Sequence, residues 1–187
     1  MIYPQKLNSR KSNLIIKFGL LVSAIVTIIL VIINKLTTPE IGWAAIANGG
    51  IIYVWIVLFY SIKKRINIAG HVLLQAIIIS ILVVFIDYKL GFRTWSISIG
   101  IPIIVMISNI TMFVLTIISH KKFIKYAIYQ LLILLFSLLS IIFITENIVQ
   151  NKVFSIISVG ISLLNLVLTL MLCAKDVREA IIRKIHM

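Results

Sequence analysis

Six apolar runs, each about as long as a bilayer's hydrocarbon core is thick, leave this chain few ways to fold. They cover approximately residues 14–34, 43–62, 68–88, 95–118, 126–146 and 153–174 of 187. At a rise of about 1.5 Å per residue, roughly 20 helical residues cross about 30 Å of hydrocarbon. Lipid offers no partner to free backbone groups, and the runs are about twice the length of barrel strands, so each is expected to be a helix. Short connections make consecutive helices antiparallel neighbours. The expected fold is therefore all-α: a polytopic membrane protein with six transmembrane helices arranged as three antiparallel hairpins. Residues 1–13 form an N-terminal tail, 14–174 the transmembrane domain and 175–187 an amphipathic C-terminal tail.

The basic residues between the runs fix an expected orientation. Fourteen of the eighteen Lys and Arg lie in the two tails and in the second and fourth loops, among them Lys63, Lys64, Arg65, Lys121, Lys122 and Lys125. Only Lys35, Lys89, Arg93 and Lys152 lie in the alternate loops. Short basic loops stay cytoplasmic during insertion, so both termini are expected inside a cell membrane. With the acids included, the inner side nets +12 and the outer side +1. That partition accounts for nearly all of the net charge of +13 and excludes the nucleic-acid partner such a charge would otherwise suggest. The expected partners are the lipid bilayer, anionic headgroups at the cytoplasmic face at about 1 kcal/mol per basic residue, and another membrane protein. The first run is too long for a signal sequence and ends at Asn34 and Lys35 without a small-residue cleavage site, so it is expected to be retained.

Within the spans a pattern recurs about every 55 residues. Near the end of each odd helix stands Asn34, Asp87 or Glu146; eight or nine residues later comes Trp43, Trp95 or Phe154; a glycine follows at Gly49, Gly100 or Gly160. Each even helix also holds one asparagine, Asn48, Asn109 or Asn165. Hairpins repeated in one orientation imply a pseudo-threefold axis along the membrane normal, unlike the inverted repeats of many transporters. The fourth and sixth helices carry most of the Ser, Thr, Asn and Gly, which permits close approach and interhelical hydrogen bonds. Even helices are thus expected inside, with the bulky first and fifth facing lipid. Packing and the lining of a solute path would use the same residue types, and both readings stand.

Trp43, Trp95, Tyr60, Tyr126 and Tyr129 sit at the expected interfaces, where amphipathic rings anchor helices in the headgroup region. In the tail, Val177, Ile181 and Ile185 recur every four residues opposite basic groups, the pattern of a helix lying on the cytoplasmic leaflet or docking a partner. Ionisable groups are scarce at depth. Asp87 and Glu146 are expected at the outer boundary within reach of water, and His71 shares a helix face with Gln75. If the hairpins converge, Glu40, Asp87, Arg93 and Glu146 could ring a shallow outer pocket; otherwise they are solvated loop ends. The candidate ligand-binding residues are Asp87, Arg93, Trp95, Asn109 and Asn165. No catalytic signature occurs, the three histidines lie on separate segments, and Cys173 is alone. The chain is therefore expected to be no enzyme, with no cofactor and no metal site.

Asp87, Gly91, Trp95 and Pro102, in a stretch running from Phe85 to Pro102, resemble a family of uncharacterised bacterial membrane proteins. Its members carry six spans, often after a zinc ribbon, with an aspartate ending the third span and a tryptophan opening the fourth. Tyr3 and Pro4 are similar to the junction that follows the ribbon, whose cysteines this chain lacks. The resemblance implies fold and location and no activity. Two functions are expected from the whole: a small accessory or interaction role (immunity, sensing or assembly), and, as the alternative, a small-molecule transporter or substrate-binding membrane subunit.

Overall fold

The computed structural model describes residues 9–63, 68–118, 123–145 and 152–185. These residues form α1 (Ser9–Thr37), α2 (Trp43–Lys63), α3 (Ile68–Lys89), α4 (Ile101–Ile118), α5 (Phe123–Thr145) and α6 (Lys152–Ile185), with a π-helical turn at Ser96–Gly100 leading into α4. All six helices contain a segment long and apolar enough to cross a membrane: Leu14–Thr37, Trp43–Ile62, Ile68–Lys89, Ser96–Ile118, Tyr126–Phe143 and Lys152–Met171. These lie within a few residues of the expected spans. The fold is all-helical among the described residues. The C-terminal tail is helical as an unbroken continuation of α6 to Ile185; the side chains beyond Met171, Cys173 included, lie outside the described residues.

The chain divides into two compact units, residues 1–55 and 56–187. In the first, α1 and the opening of α2 meet through one aromatic contact. The Trp55 indole N–H donates to Ser23 Oγ at 2.9 Å, and a Cβ added at Gly19 would come within 3.1 Å of the same ring. Glycine on α1 thus leaves room for the largest side chain of α2. Around this contact α1 presents Leu14, Phe18, Leu21, Ile25, Ile28 and Ile32 outward, as expected of a lipid-facing first helix. Among the described side chains of α2 only Ala44 is buried, which departs from the expectation that every even helix lies inside.

The second unit is a bundle in which α4 touches α3, α5 and α6. Its buried residues follow a three-four spacing on three helices. On α4 they are Pro102, Val105, Ser108, Asn109, Met112 and Thr116; on α5, Tyr126, Gln130, Ile133, Ser137 and Ser140; on α6, Ser155, Ser158, Ser162, Asn165 and Thr169. This is the a/d seam of left-handed helix packing, with one difference from a soluble coiled coil. Every seam residue of α6 is polar, while its remaining faces carry Ile156, Ile157, Leu163, Leu164 and Leu168 toward the outside. In lipid, apolar surface gains nothing by being buried, so small and hydrogen-bonding residues are the ones that gain from contact.

Two expectations are corrected here. The fifth helix does not simply face lipid: it contributes a fully buried strip from Tyr126 to Ser140. Its many Leu and Ile residues occupy the other faces and obscure that strip. Tyr126 is also a core residue, packed in a cluster with Ala69, Val105, Met112 and Ile133, rather than an interfacial anchor.

The π-turn has an identifiable cause. Pro102 has no N–H, and its ring would press on the carbonyl four residues back in a regular helix. The backbone widens instead, so that the Ile101 N–H bonds to Ser96 O, five residues earlier. Gly100, the last residue of this turn, lies against α3: a Cβ there would stand 2.8 Å from Val83 Cγ1. Gly100→Ala should therefore lower stability by about 1 kcal/mol, as modest overpacking does. Adding Val83→Ala removes the clashing methyl and should restore the thermal midpoint in detergent.

Candidate functional site

The polar residue ending an odd helix has a defined use at two of the three hairpin turns. The first nitrogens of any helix lack intrahelical acceptors. Asn34 Oδ1 accepts from the Ala44 N–H at 2.9 Å, while Asn34 Nδ2 donates to the carbonyls of Thr38 (2.7 Å) and Ile41 (2.8 Å). Trp43 Nε1 donates to Thr38 Oγ1 at 2.8 Å and closes the same turn. Asp87 plays the corresponding part between α3 and α4. Its Oδ1 accepts from the Arg93 N–H at 2.9 Å, and its Oδ2 from the Ser96 N–H (3.1 Å) and hydroxyl (2.7 Å). The Asp87 backbone carbonyl also accepts from the Phe92 N–H at 2.8 Å. The recurring spacing thus records one device: a side chain on the outgoing helix capping the returning one. Glu146, the third member, lies outside the described residues.

This geometry places Asp87 differently from the sequence expectation. It is fully buried, not at a wet boundary, because its carboxylate is turned into the free N–H groups of the next helix. The turn it holds is strained. Gly91 has φ of 95°, which glycine tolerates, but Phe92 and Thr94 have φ of 48° and 59°. The left-handed region is unfavourable for a β-branched residue and persists only where the surroundings enforce it. Four hydrogen bonds to Asp87 do so. The same turn exposes Arg93, Tyr88, Phe92 and Trp95, the Trp95 ring lying over Gly100.

Asn109 and Asn165 meet in the seam between α4 and α6. Asn165 Nδ2 donates to the Asn109 backbone carbonyl at 2.9 Å and to Asn109 Oδ1 at 3.2 Å. Asn109 Nδ2 donates to Ser162 Oγ at 2.7 Å and to the Val105 carbonyl at 3.0 Å. From α5, Gln130 Nε2 reaches Thr116 Oγ1 at 3.2 Å and Asn165 Oδ1 at 3.4 Å. Its Oε1 has no hydrogen-bond partner among the described residues, nor have the hydroxyls of Thr169 and Ser155. A cavity of about 210 Å³ beside this network is walled by Ile110, Phe113, Ile161, Leu164 and Leu168, with the two asparagines at its floor. Its wall is apolar because the amides face one another.

The five candidate residues therefore fall into two groups. Asp87, Arg93 and Trp95 share the α3–α4 turn; Asn109 and Asn165 share the seam, with Asn109 fourteen residues, about 21 Å, beyond Trp95 along the fourth span. No single cavity among those described collects all five. Gln130 is the functional-looking residue that sequence reasoning missed. Its signal was the three-four spacing with Tyr126, Ile133 and Ser137.

His71 stands edge-on to Tyr60, with ring centroids 4.8 Å apart at 84°. Its Nε2 is buried without a partner, and no hydrogen bond joins it to Gln75 among the described residues. No three His, Cys, Asp or Glu gather into a possible metal site among the described residues.

One family model, described as a family of unknown function (DUF6320), matches residues 3–187. No curated protein and no solved structure matches the chain.

Proposed function

Since the chain belongs to DUF6320, a family of unknown function, its role has to come from its own residues, and we propose that it is a non-enzymatic accessory protein that acts by helix contacts within the membrane. An immunity, sensing or assembly role fits this description. The observation that carries the reading is the pairing of Asn109 with Asn165. The deepest polar groups of the bundle spend their hydrogen bonds on one another instead of lining a path for a solute. Asp87, an acid within the spans, is likewise committed to capping α4.

The proposed setting is a bacterial cell membrane with both termini cytoplasmic, supported by the segregation of basic residues. In a Cys173→Ser background, single cysteines placed at Thr38 and at Lys63 should react with impermeant reagent from opposite sides of sealed membranes. Same-side reaction would refute the six-span threading.

The functional reading is tested by thermal unfolding of the purified protein against a panel of water-soluble metabolites. No compound is expected to raise the midpoint by several degrees. A rise of that size would replace the interaction role with solute capture. One feature favours this second reading: a cavity at the α1–α2 turn lined in part by Lys35 and Asn48.

A further inference from the structure

The turn between α3 and α4 carries a strain that its capping role leaves unexplained. Asn34 caps α2 across the first turn as Asp87 caps α4 across this one, by side-chain bonds to the returning helix. Among the described residues, Phe92 and Thr94 are the only non-glycines with positive φ, and both lie in the α3–α4 turn. The same device thus works without strain at one turn and with it at the other. Strain of this kind persists where a fixed backbone serves a task of its own. What distinguishes the strained turn is what it shows. Between residues 88 and 95 it exposes Tyr88, Lys89, Phe92, Arg93 and Trp95: two cations, three aromatic rings and no acid. Asp87 beside them is buried, its oxygens taken by the Arg93 and Ser96 N–H groups and the Ser96 hydroxyl. The Lys89 ammonium stands 5.7 Å from the Phe85 ring centroid and 6.0 Å from that of Tyr88, which places the charge without neutralising it.

Rigidity separates the candidate occupants. Interfacial rings anchor a helix in lipid whatever their mutual arrangement, since fluid headgroups adjust to them. A fixed array gains over a mobile one only against a surface with a shape of its own, because the ordering cost is met before contact. Arginine, tryptophan and tyrosine are also the side chains enriched where protein interfaces concentrate their binding energy. The excess of cations sets the partner's sign. We propose, resting on the accessory role above, that the α3–α4 turn is the surface by which the chain recognises an acidic segment of a partner membrane protein. A partner carboxylate meets Arg93 and Lys89, and apolar groups beside it pack on Phe92 and Trp95.

A water-soluble carbodiimide joins a carboxylate to an amine it touches, and so reads this contact directly. The full chain is treated in membranes of the cells that naturally make it, and linked peptides are identified by mass spectrometry. Lys89 should be joined to an Asp or Glu of one other membrane protein. Its yield should exceed several-fold that of Lys35 and Lys152, exposed lysines expected on the same side. Arg93→Gln and Phe92→Gly should each lower the Lys89 yield several-fold. Phe92→Gly should nevertheless keep or raise the thermal midpoint, because glycine tolerates positive φ. Should Phe92→Gly not fold, Phe92→Asn is read in its place, asparagine being at ease in that region. Vesicles of phosphatidylcholine with and without phosphatidylglycerol form a separate arm. Stabilisation by phosphatidylglycerol that is lost in Arg93→Gln, with no protein joined to Lys89, assigns the turn to lipid and overturns the proposal. Linkage of Lys89 only to a second copy of this chain, no linkage at all, or a yield that survives both variants overturns it too. The accessory role itself falls on a different result, the stabilisation by a metabolite, so the two failures are distinguishable.

Discussion

Replacing Asp87 by alanine should be the most damaging single change in the described chain, costing about 3–5 kcal/mol and lowering the thermal midpoint by on the order of 10 °C. Three donors converge on its carboxylate, and hydrogen bonds to a charged acceptor contribute about 1.5–3 kcal/mol each. Alanine also leaves the Ser96 N–H and hydroxyl unpaired in a fully buried place. The effect should reach the backbone. With the carboxylate gone, three of those bonds are lost and only the Phe92 N–H bond to the residue 87 carbonyl remains, so the turn relaxes toward ordinary conformations. Asp87→Asn should fall between the two. One oxygen still caps the helix, but the amide now meets a donor where the second oxygen accepted two. Asn34 shows what an asparagine needs in this role, since its amide has two carbonyls to bond. Thr94→Gly should recover part of the loss in Asp87→Asn, because glycine carries no penalty at that φ. Thermal unfolding of the four proteins in one detergent checks the order.

The second large effect belongs to the seam, and its size depends on which residue is removed. Asn165→Leu should destabilise by about 2 kcal/mol. It deletes two bonds to Asn109 and one of the two made by the Gln130 amide. Gln130→Leu should cost less, under about 1 kcal/mol, although Gln130 is just as buried. Its two bonds, at 3.2 and 3.4 Å, are among the longest in the network, and its Oε1 is already unmatched. Removing a poorly satisfied polar group costs little, whereas removing the partner of a satisfied one leaves that partner unpaired. A seam evolved to bind a solute at Gln130 would show the reverse: equal stability loss in both variants and a ligand that rescues only the unaltered protein.

The spans were readable from sequence because hydropathy over twenty residues is a strong, one-dimensional signal and lipid permits only helices to answer it. The repeat was readable too, yet its meaning was not. Asp87 read as an outer acid because its role depends on where the chain goes after Lys89. The positive φ of Phe92 and Thr94, unlike that of Gly91, has no residue signature. The seam was half legible. The hydroxyls of α4 and α6 stood out against Leu and Ile, and all of those described except Thr111 are inside as expected. On α5 the strip from Tyr126 to Ser140 was diluted by bulky neighbours, and three-four spacing was its only trace. That Asn109 and Asn165 bond each other, fifty-six residues apart, could not be read from offsets that differ between the repeats.

The central claim is that the polar residues of the bundle hold helices together and do not form a water-filled path. Ser162 tests it most directly, being buried in the seam beside Asn109 with Ile161 and Leu163 as neighbours in sequence. In a Cys173→Ser background, Ser162→Cys should stay unmodified by a small water-soluble thiol reagent applied to both sides of intact membranes. Under the same conditions a cysteine at Thr38 should react to completion. Modification of Ser162→Cys at a rate near that of the Thr38 control would mean that water reaches the middle of the seam, and would contradict the account.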